Sequence, residues 1–367
     1  PDAGTFWYHP HVNTAHQVDR GLYGGIVVEE AIAPSFHDED YWVIDDWHLD
    51  DDNQYIEASV TEDFWGRSAG QFTLNGEFKP VISGIAGEHR RVRVLNSSNN
   101  TIISLKIDNH QLRIIAKDGT PVDEPWQTSS VRLATGERVD IDLKLTGKPN
   151  SDYTVRLEAF SNMFGPAGRE VNKEARWTIN DWSFPDYEDM HFDMGTSRLI
   201  EISNNTPMSH PFHLHGHFFR VVGRSKRGTP PSGGGSKQVM LATLRYGQGR
   251  AETLDEPSLP SHGIPSADQT KSLSTPMILG TSGVGGGGGG MGGGGMGGGG
   301  MGGGDNTPVA LTKRDKRSWQ DTVEVPPSQT VQLLLLADNP GDWMYHCHIL
   351  EHEESGMMGV FRVGAKP

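Results

Sequence analysis

The sequence predicts an all-β protein built from Greek-key β-sandwiches. Three observations lead there. Helical periodicity is scarce along the 367 residues. Short runs that alternate apolar and polar residues recur, as strands with one buried face do. Gly, Asn, Asp or Pro separates these runs and supplies the turns that antiparallel sheets need.

Taken in order, "GGIVVEEAI" is a strand that ends in a Pro/Ser linker at residue 35. Residues 1–35 are too few to bury a core of their own. The runs "YWVIDDWHL", "HRRVRVLNSS", "ISLKIDNHQLRIIAKDG", "ERVDIDLKL" and "YTVRLEAF" give one full set of strands over residues 36–180. Within it, "LNGE" has the Asn-Gly signal of a tight hairpin. The polar, Trp-rich "RWTINDWSFPDYEDMHFDMG" leads into a third unit, residues 181–367. That unit is interrupted: from about Ser225 to Ser318 the composition reads as loop, and residues 284–304 are almost pure glycine, with Met291, Met296 and Met301 at five-residue spacing. Such a tract cannot bury apolar surface. It is a spacer, or a thioether arm of the kind soft Cu(I) prefers. Pro1 is no initiator and "PDAGTFWYHPH" reads like the middle of a domain, so a cut N-terminus is expected.

The formal net charge of −15 argues against nucleic acid or an anionic membrane as partner and suits cationic substrates, metal ions included. There is no apolar run of about 20 residues. The single cysteine, Cys347, cannot form an internal disulfide and suggests a metal ligand or a nucleophile.

Cys347 sits in "WMYHCHILEHEESGMM". On a strand His346 and His348 point one way and Cys347 the other, so one segment can serve two metal sites. A thiolate, two imidazoles and a weak axial thioether form the blue-copper set. Cys347, His352 and Met357, at C-x4-H-x4-M, supply three of the four. Zinc is the main competitor, although its structural sites usually take four strong ligands. A Cys/His nucleophilic pair would leave the other histidines unexplained. Two more clusters, "HPFHLHGHFF" and "WYHPHVNTAH", each hold histidines at metal-ligand spacing. One H-x-H is weak evidence; three clusters in one chain are strong evidence for metal.

With these motifs, and with "GLYGGIVVE" and "WQDTVEV", the chain resembles the multicopper oxidases, the family of laccases and bacterial cuprous oxidases. The resemblance covers the chain apart from the Gly/Met insertion at 284–304. It implies cupredoxin domains: a C-terminal remnant of the first at 1–35, a second without copper at 36–180, and a third with type 1 copper at 181–367. It implies His210, Cys347 and His352 as type 1 ligands with Met357 axial, and His213 on type 2 copper. His9, His11, His215, His346 and His348 would bind the binuclear type 3 pair, four copper ions in the complete enzyme. Electrons from a small-molecule or metal-ion reductant would cross through Cys347, the redox-active catalytic residue, and reduce oxygen to water. Glu353 matches a position that helps deliver protons in bacterial relatives; a solvated loop carboxylate is the alternative.

The family's further H-x-H motif, usually "HWHG", would lie upstream of Pro1, and a missing N-terminal segment would be a partner of the cluster. The reductant classes are Cu(I), Fe(II), Mn(II) or a phenol. The "HEESGMM" ending and the Met-bearing tract favour a periplasmic or secreted metal oxidase of copper tolerance. The competing class is a copper-binding cupredoxin-fold protein without oxygen chemistry. A copper nitrite reductase is disfavoured by "HCH". His16, His37, His48, His89, His110, His191 and His262 have no ligand-like spacing. His217 would share the face of His213 and His215 but has no family role, and Met208 is a weak candidate for Cu(I) contact.

Overall fold

A computed structural model describes residues 3–364, apart from 33, 69, 161–173, 227–235, 252–273 and 283–306. Among the described residues strands dominate and the four helices are each six residues or shorter. None of them could cross a membrane.

The first sandwich packs a six-stranded sheet on a five-stranded one. In spatial order the six are Gln71–Leu74, Asp38–Trp47, His89–Asn96, Arg138–Lys144, Leu112–Lys117 and Thr120–Thr128. The five are Val131–Leu133, Ile102–Ile107, Asp152–Phe160, Ser236–Arg250 and Val81–Ala86. Ile44, Val92, Val94, Leu105, Ile141, Leu157 and Leu244 fill the space between them. The strand His89–Asn96 is buried along its whole length, arginines included. Arg91 and Arg93 both donate to the buried Asp140, and Arg93 also donates to Glu39, so these charges are paired rather than solvated.

The second sandwich packs a six-stranded sheet, with Arg176–Ile179, Ser274–Ser282, Thr196–Asn204, Gln329–Ala337, Phe219–Lys226 and Thr307–Pro308, on a five-stranded sheet. The latter runs Met190–Phe192, Met358–Val363, Gly341–Cys347, His210–Leu214 and Thr322–Val325. It carries most of the chemistry. Residues 4–28 form a two-stranded sheet, Gly4–Tyr8 with Gly24–Val28, and the short helix Thr14–Val18. This segment is pinned to the first sandwich: Thr5 donates to Asp140 (2.7 Å) and accepts from Arg93 (2.8 Å).

The structure corrects two expectations. Among the described residues between Ser225 and Ser318, regular structure prevails over loop: Ser236–Arg250 and Ser274–Ser282 are strands and Lys313–Arg317 is a helix. Nor is 181–367 one contiguous unit. Ser236–Arg250 pairs with Asp152–Phe160 and Val81–Ala86 in the first sandwich. Conversely, Arg176–Ile179, placed before residue 180, belongs to the second. The physical reason is apolar spacing: Leu241, Leu244 and Tyr246 are fully buried in the first core, in a sheet whose other members all precede them far back in the chain. The Gly/Met tract with Met291, Met296 and Met301, and His262, lie outside the described residues.

Candidate metal centre

Strand register sorts the histidines. His210–Leu214 pairs antiparallel with Gly341–Cys347, so that Phe212 faces Cys347 and His213 faces His346. Directly opposed residues share a sheet face, and alternate residues change face. His210, two before Phe212, therefore falls with Cys347, while His213 falls with His346 on the other side. One strand pair thus separates two pockets.

The pocket on the Cys347 side is closed. His210, Cys347, His352 and Met357 are each at most 1% exposed. His210 Nδ1 lies 3.4 Å from Cys347 Sγ and 3.3 Å from His352 Nδ1, and Sγ lies 3.7 Å from His352 Nδ1. These three atoms form a set that could hold a metal ion. The rest of each ring is held from behind. Thr206 spends its hydroxyl hydrogen on Asn204 Oδ1 (2.8 Å) and so accepts from His210 Nε2 at 2.7 Å, which leaves Nδ1 as the free lone pair. Trp177 stacks on the ring of His352, centroids 3.9 Å apart, and donates to the carbonyl of Phe64. The loop closes through its backbone: Cys347 N donates to Met357 O (3.0 Å), and Met357 N to His352 O (2.8 Å). Burial pushes the Cys347 thiol up, lowers His210 to about 3 and holds His352 well below its usual range. A neutral pair of imidazoles beside a thiol too buried to ionise alone is a donor set that a cation completes.

The second pocket offers imidazoles as its candidate metal donors and is partly open. His9, His11, His213, His215, His346 and His348 converge there, and a cavity of about 570 Å³ is lined by four of them with Trp7, Arg138 and Asp321. His11, His215 and His346 place their nitrogens as a second potential metal-holding group, with His215 Nε2 3.0 Å from His346 Nε2. His9 and His348 pack at 5.1 Å between centroids, against Trp7. Tautomers follow from the acceptors. The Nδ1 of His9 faces the carbonyl of Pro10 (3.1 Å), that of His213 the carbonyl of Asp321 (3.0 Å), and that of His346 the carbonyl of Cys347 (3.0 Å). A carbonyl only accepts, so each Nδ1 carries the proton and each Nε2 is a free lone pair. His348 has no hydrogen-bond partner at either ring nitrogen despite being buried. An imidazole left orphaned in this way fits a metal ligand. Burial, then neighbouring imidazoles, lowers His9 to about 3 and His215 to about 2. His346 and His348 are held well below their usual range, by burial first.

Glu353 is not a solvated loop carboxylate: it is 2% exposed. Its Oε1 accepts from His11 Nδ1 (2.8 Å) and Thr14 Oγ1 (3.3 Å), and its Oε2 is 3.4 Å from His346 Nδ1. Met208 is fully buried in the apolar core, which gives it a packing role. His217 does not join the other imidazoles; its ring packs on Trp343 and Phe361. His37, His89, His110 and His191 are engaged in local hydrogen bonds. Four residues not singled out in the sequence also shape the site: Thr206, Trp177, Arg138 and Asp321. Of these only Thr206 lies outside the stretches quoted above; Asp321 is in "WQDTVEV", Arg138 in "ERVDIDLKL" and Trp177 in "RWTINDWSFPDYEDMHFDMG".

Comparison with known proteins bears on the chain as a whole. Family models described as multicopper oxidase match residues 1–32, residues 38–175, and residues 154–248 with 295–367. A multicopper oxidase of Staphylococcus epidermidis is 26% identical over 392 residues, covering 99% of this chain and 68% of that protein. The multicopper oxidase MmcO of Mycobacterium tuberculosis is 22% identical, covering 97% of this chain and 68% of that protein. Among solved structures, a multicopper oxidase from Pseudomonas thermotolerans matches with a TM-score of 0.64 and 21% identity, covering 99% of this chain and 77% of that one. A multicopper oxidase from Campylobacter jejuni, described as a metallo-oxidase, matches with a TM-score of 0.62 and 19% identity, covering 99% and 72%.

Proposed function

The chain belongs to the multicopper oxidase family, and from that premise we propose which of its residues hold the coppers and what the rest of the site does. Such an enzyme couples one-electron oxidation of a reducing substrate to the four-electron reduction of oxygen to water, using type 1, type 2 and type 3 copper. The competing reading, copper binding without oxygen chemistry, is not favoured.

His210, Cys347, His352 and Met357 would hold type 1 copper. His213 serves type 2 copper, and His9, His11, His215, His346 and His348 serve the type 3 pair. The observation that carries the assignment is the alternation at 346–348. Cys347 turns into the closed pocket while both neighbours turn into the open one, so covalent bonds link the two. The copper ions, when bound, supply the one-electron steps that let single-electron donors reduce oxygen fully. The chain supplies the rest. Thr206 and Trp177 hold the two type 1 imidazoles. Burial keeps water off the thiolate. Glu353, touching His11 and His346 together, is placed to hold and pass the protons that oxygen reduction consumes.

The reductant we favour is a metal ion, Cu(I) foremost, in a periplasmic or secreted enzyme of copper tolerance. Both type 1 imidazoles are fully buried, one beneath Trp177, so a bulky phenol does not touch them. A structural relative described as a metallo-oxidase supports the same class. Comparing steady-state oxidation of Cu(I) and of a phenol before and after deletion of residues 284–304 tests this. Selective loss of Cu(I) oxidation supports a methionine arm; equal losses, or a wild type that prefers the phenol, sink it. Met357→Leu tests the axial assignment: the type 1 potential should rise as a donor favouring Cu(II) is removed, and an unchanged potential excludes Met357.

A further inference from the structure

The first sandwich offers no imidazole to either pocket, yet one of its turns touches both sides of the open one. The segment is 134–138: the turn after the strand Val131–Leu133 together with Arg138, the first residue of the strand Arg138–Lys144. Thr135 Oγ1 donates to the carbonyl of His348 at 3.0 Å. Gly136, at φ +78°, lies flat against the His348 ring; a Cβ there would stand 2.4 Å from its Cδ2 and 2.7 Å from its Nε2. No side chain fits that gap, and the backbone conformation itself favours glycine.

Arg138 is 2% exposed and uses all five of its N–H donors. Nη1 and Nη2 fork onto the Asp321 carboxylate at 2.8 and 2.7 Å. The others go to the carbonyls of Thr5, Gly136 and Asp118. Asp321 Oδ1 then accepts the hydroxyl hydrogen of Thr322 (2.8 Å), which turns the Thr322 oxygen lone pair towards His213 Nδ1 (2.9 Å). The Asp321 carbonyl receives the same Nδ1–H at 3.0 Å. Donors therefore converge on the Asp321 carboxylate, from the guanidinium on one side and from His213 through Thr322 on the other, and the Thr322 oxygen left as acceptor fixes where the His213 proton sits.

We propose that the turn 134–138 is a positioning element for the open pocket: Arg138, acting through Asp321 and Thr322, holds His213 with Nε2 presented, and Gly136 and Thr135 set the plane of His348. The element rests on His213 and His348 being ligands, as assigned above. It makes the copper-free sandwich a determinant of type 2 copper while leaving type 1 alone, since no residue of the turn reaches His210, Cys347 or His352. Lysine cannot replace Arg138 fully, because a single ammonium cannot fork onto Asp321 and also reach three carbonyls.

Histidine-selective nitrogen NMR on the copper-free chain reads the His213 tautomer directly. The wild type should show Nδ1–H; Arg138→Met and Thr322→Val should each give a mixture, with Arg138→Lys between. In the copper-loaded chain, Arg138→Met should alter the hyperfine coupling of the non-blue Cu(II) signal and weaken that copper about 10–100-fold. The blue band should keep its position and intensity. If Arg138→Met proves unfoldable, Arg138→Lys and Thr322→Val report the same two signals. An unchanged tautomer and hyperfine coupling, with only a lowered melting temperature, would reduce the turn to scaffold and overturn the proposal. If His213→Ala leaves the non-blue signal intact, the ligand assignment fails instead, and the tautomer measurement still judges the turn.

Discussion

The two pockets lie on opposite faces of the same strand pair and oppose each other in almost every respect. The one around Cys347 is closed, contains sulfur and presents Nδ1 of its histidines. The one around His346 is partly open, contains only imidazole and presents Nε2. What sets the difference is the group behind each ring. A threonine hydroxyl takes Nε2 of His210, whereas backbone carbonyls take Nδ1 of His9, His213 and His346. Ligand identity is thus shared between the pockets, and the hydrogen bond on the far nitrogen chooses which atom meets the metal.

The contrast breaks most sharply at Cys347. Cys347→Ser should erase the blue absorption of the copper-loaded chain and take oxygen uptake to background, while the non-blue Cu(II) signal of the other pocket persists. Absorption, EPR and an oxygen electrode together check this. Glu353→Gln should act in the opposite pocket: the blue band stays, and kcat for oxygen uptake falls about 10–100-fold with little change in KM for the reductant. A smaller effect is expected for Thr206→Val, which frees Nε2 of His210. Type 1 copper should bind about tenfold more weakly in competition titrations, with the non-blue signal untouched.

Protons affect both pockets. His9 and His210 ionise near 3 in the fold and His215 near 2, whereas an imidazole in the unfolded chain ionises near about 6.5. As pH falls below that value the unfolded chain takes up protons first. The copper-free protein should keep its full stability above about pH 6.5 and lose it progressively towards pH 3. Denaturant midpoints at pH 7.5, 6 and 5 should fall in that order.

Much of the site was legible because its donors are local. C-x4-H-x4-M and the spacing of His210, His213 and His215 lie within single short segments, where a period of two already assigns faces. The supporting groups were not legible. Arg138 and Asp321 are 183 residues apart, and no local pattern announces their pairing. Trp177 falls in a stretch that composition marks only as a linker. Glu353 has two readings in the sequence, and its burial excludes the solvated one. In the fold, the strand Ser236–Arg250 had the right alternation but sits among glycine, proline and serine, and its partners belong to the other sandwich.

The central claim is that one segment, His346–Cys347–His348, serves both pockets at once. Anomalous diffraction at the copper edge from copper-loaded crystals tests it most directly. The account predicts one peak enclosed by His210, Cys347 and His352, and separate density among His11, His215 and His346. Residues 346–348 should run directly from one to the other. A peak at Cys347 coordinated also by His346 or His348, or copper confined to a site that avoids this segment, would contradict it.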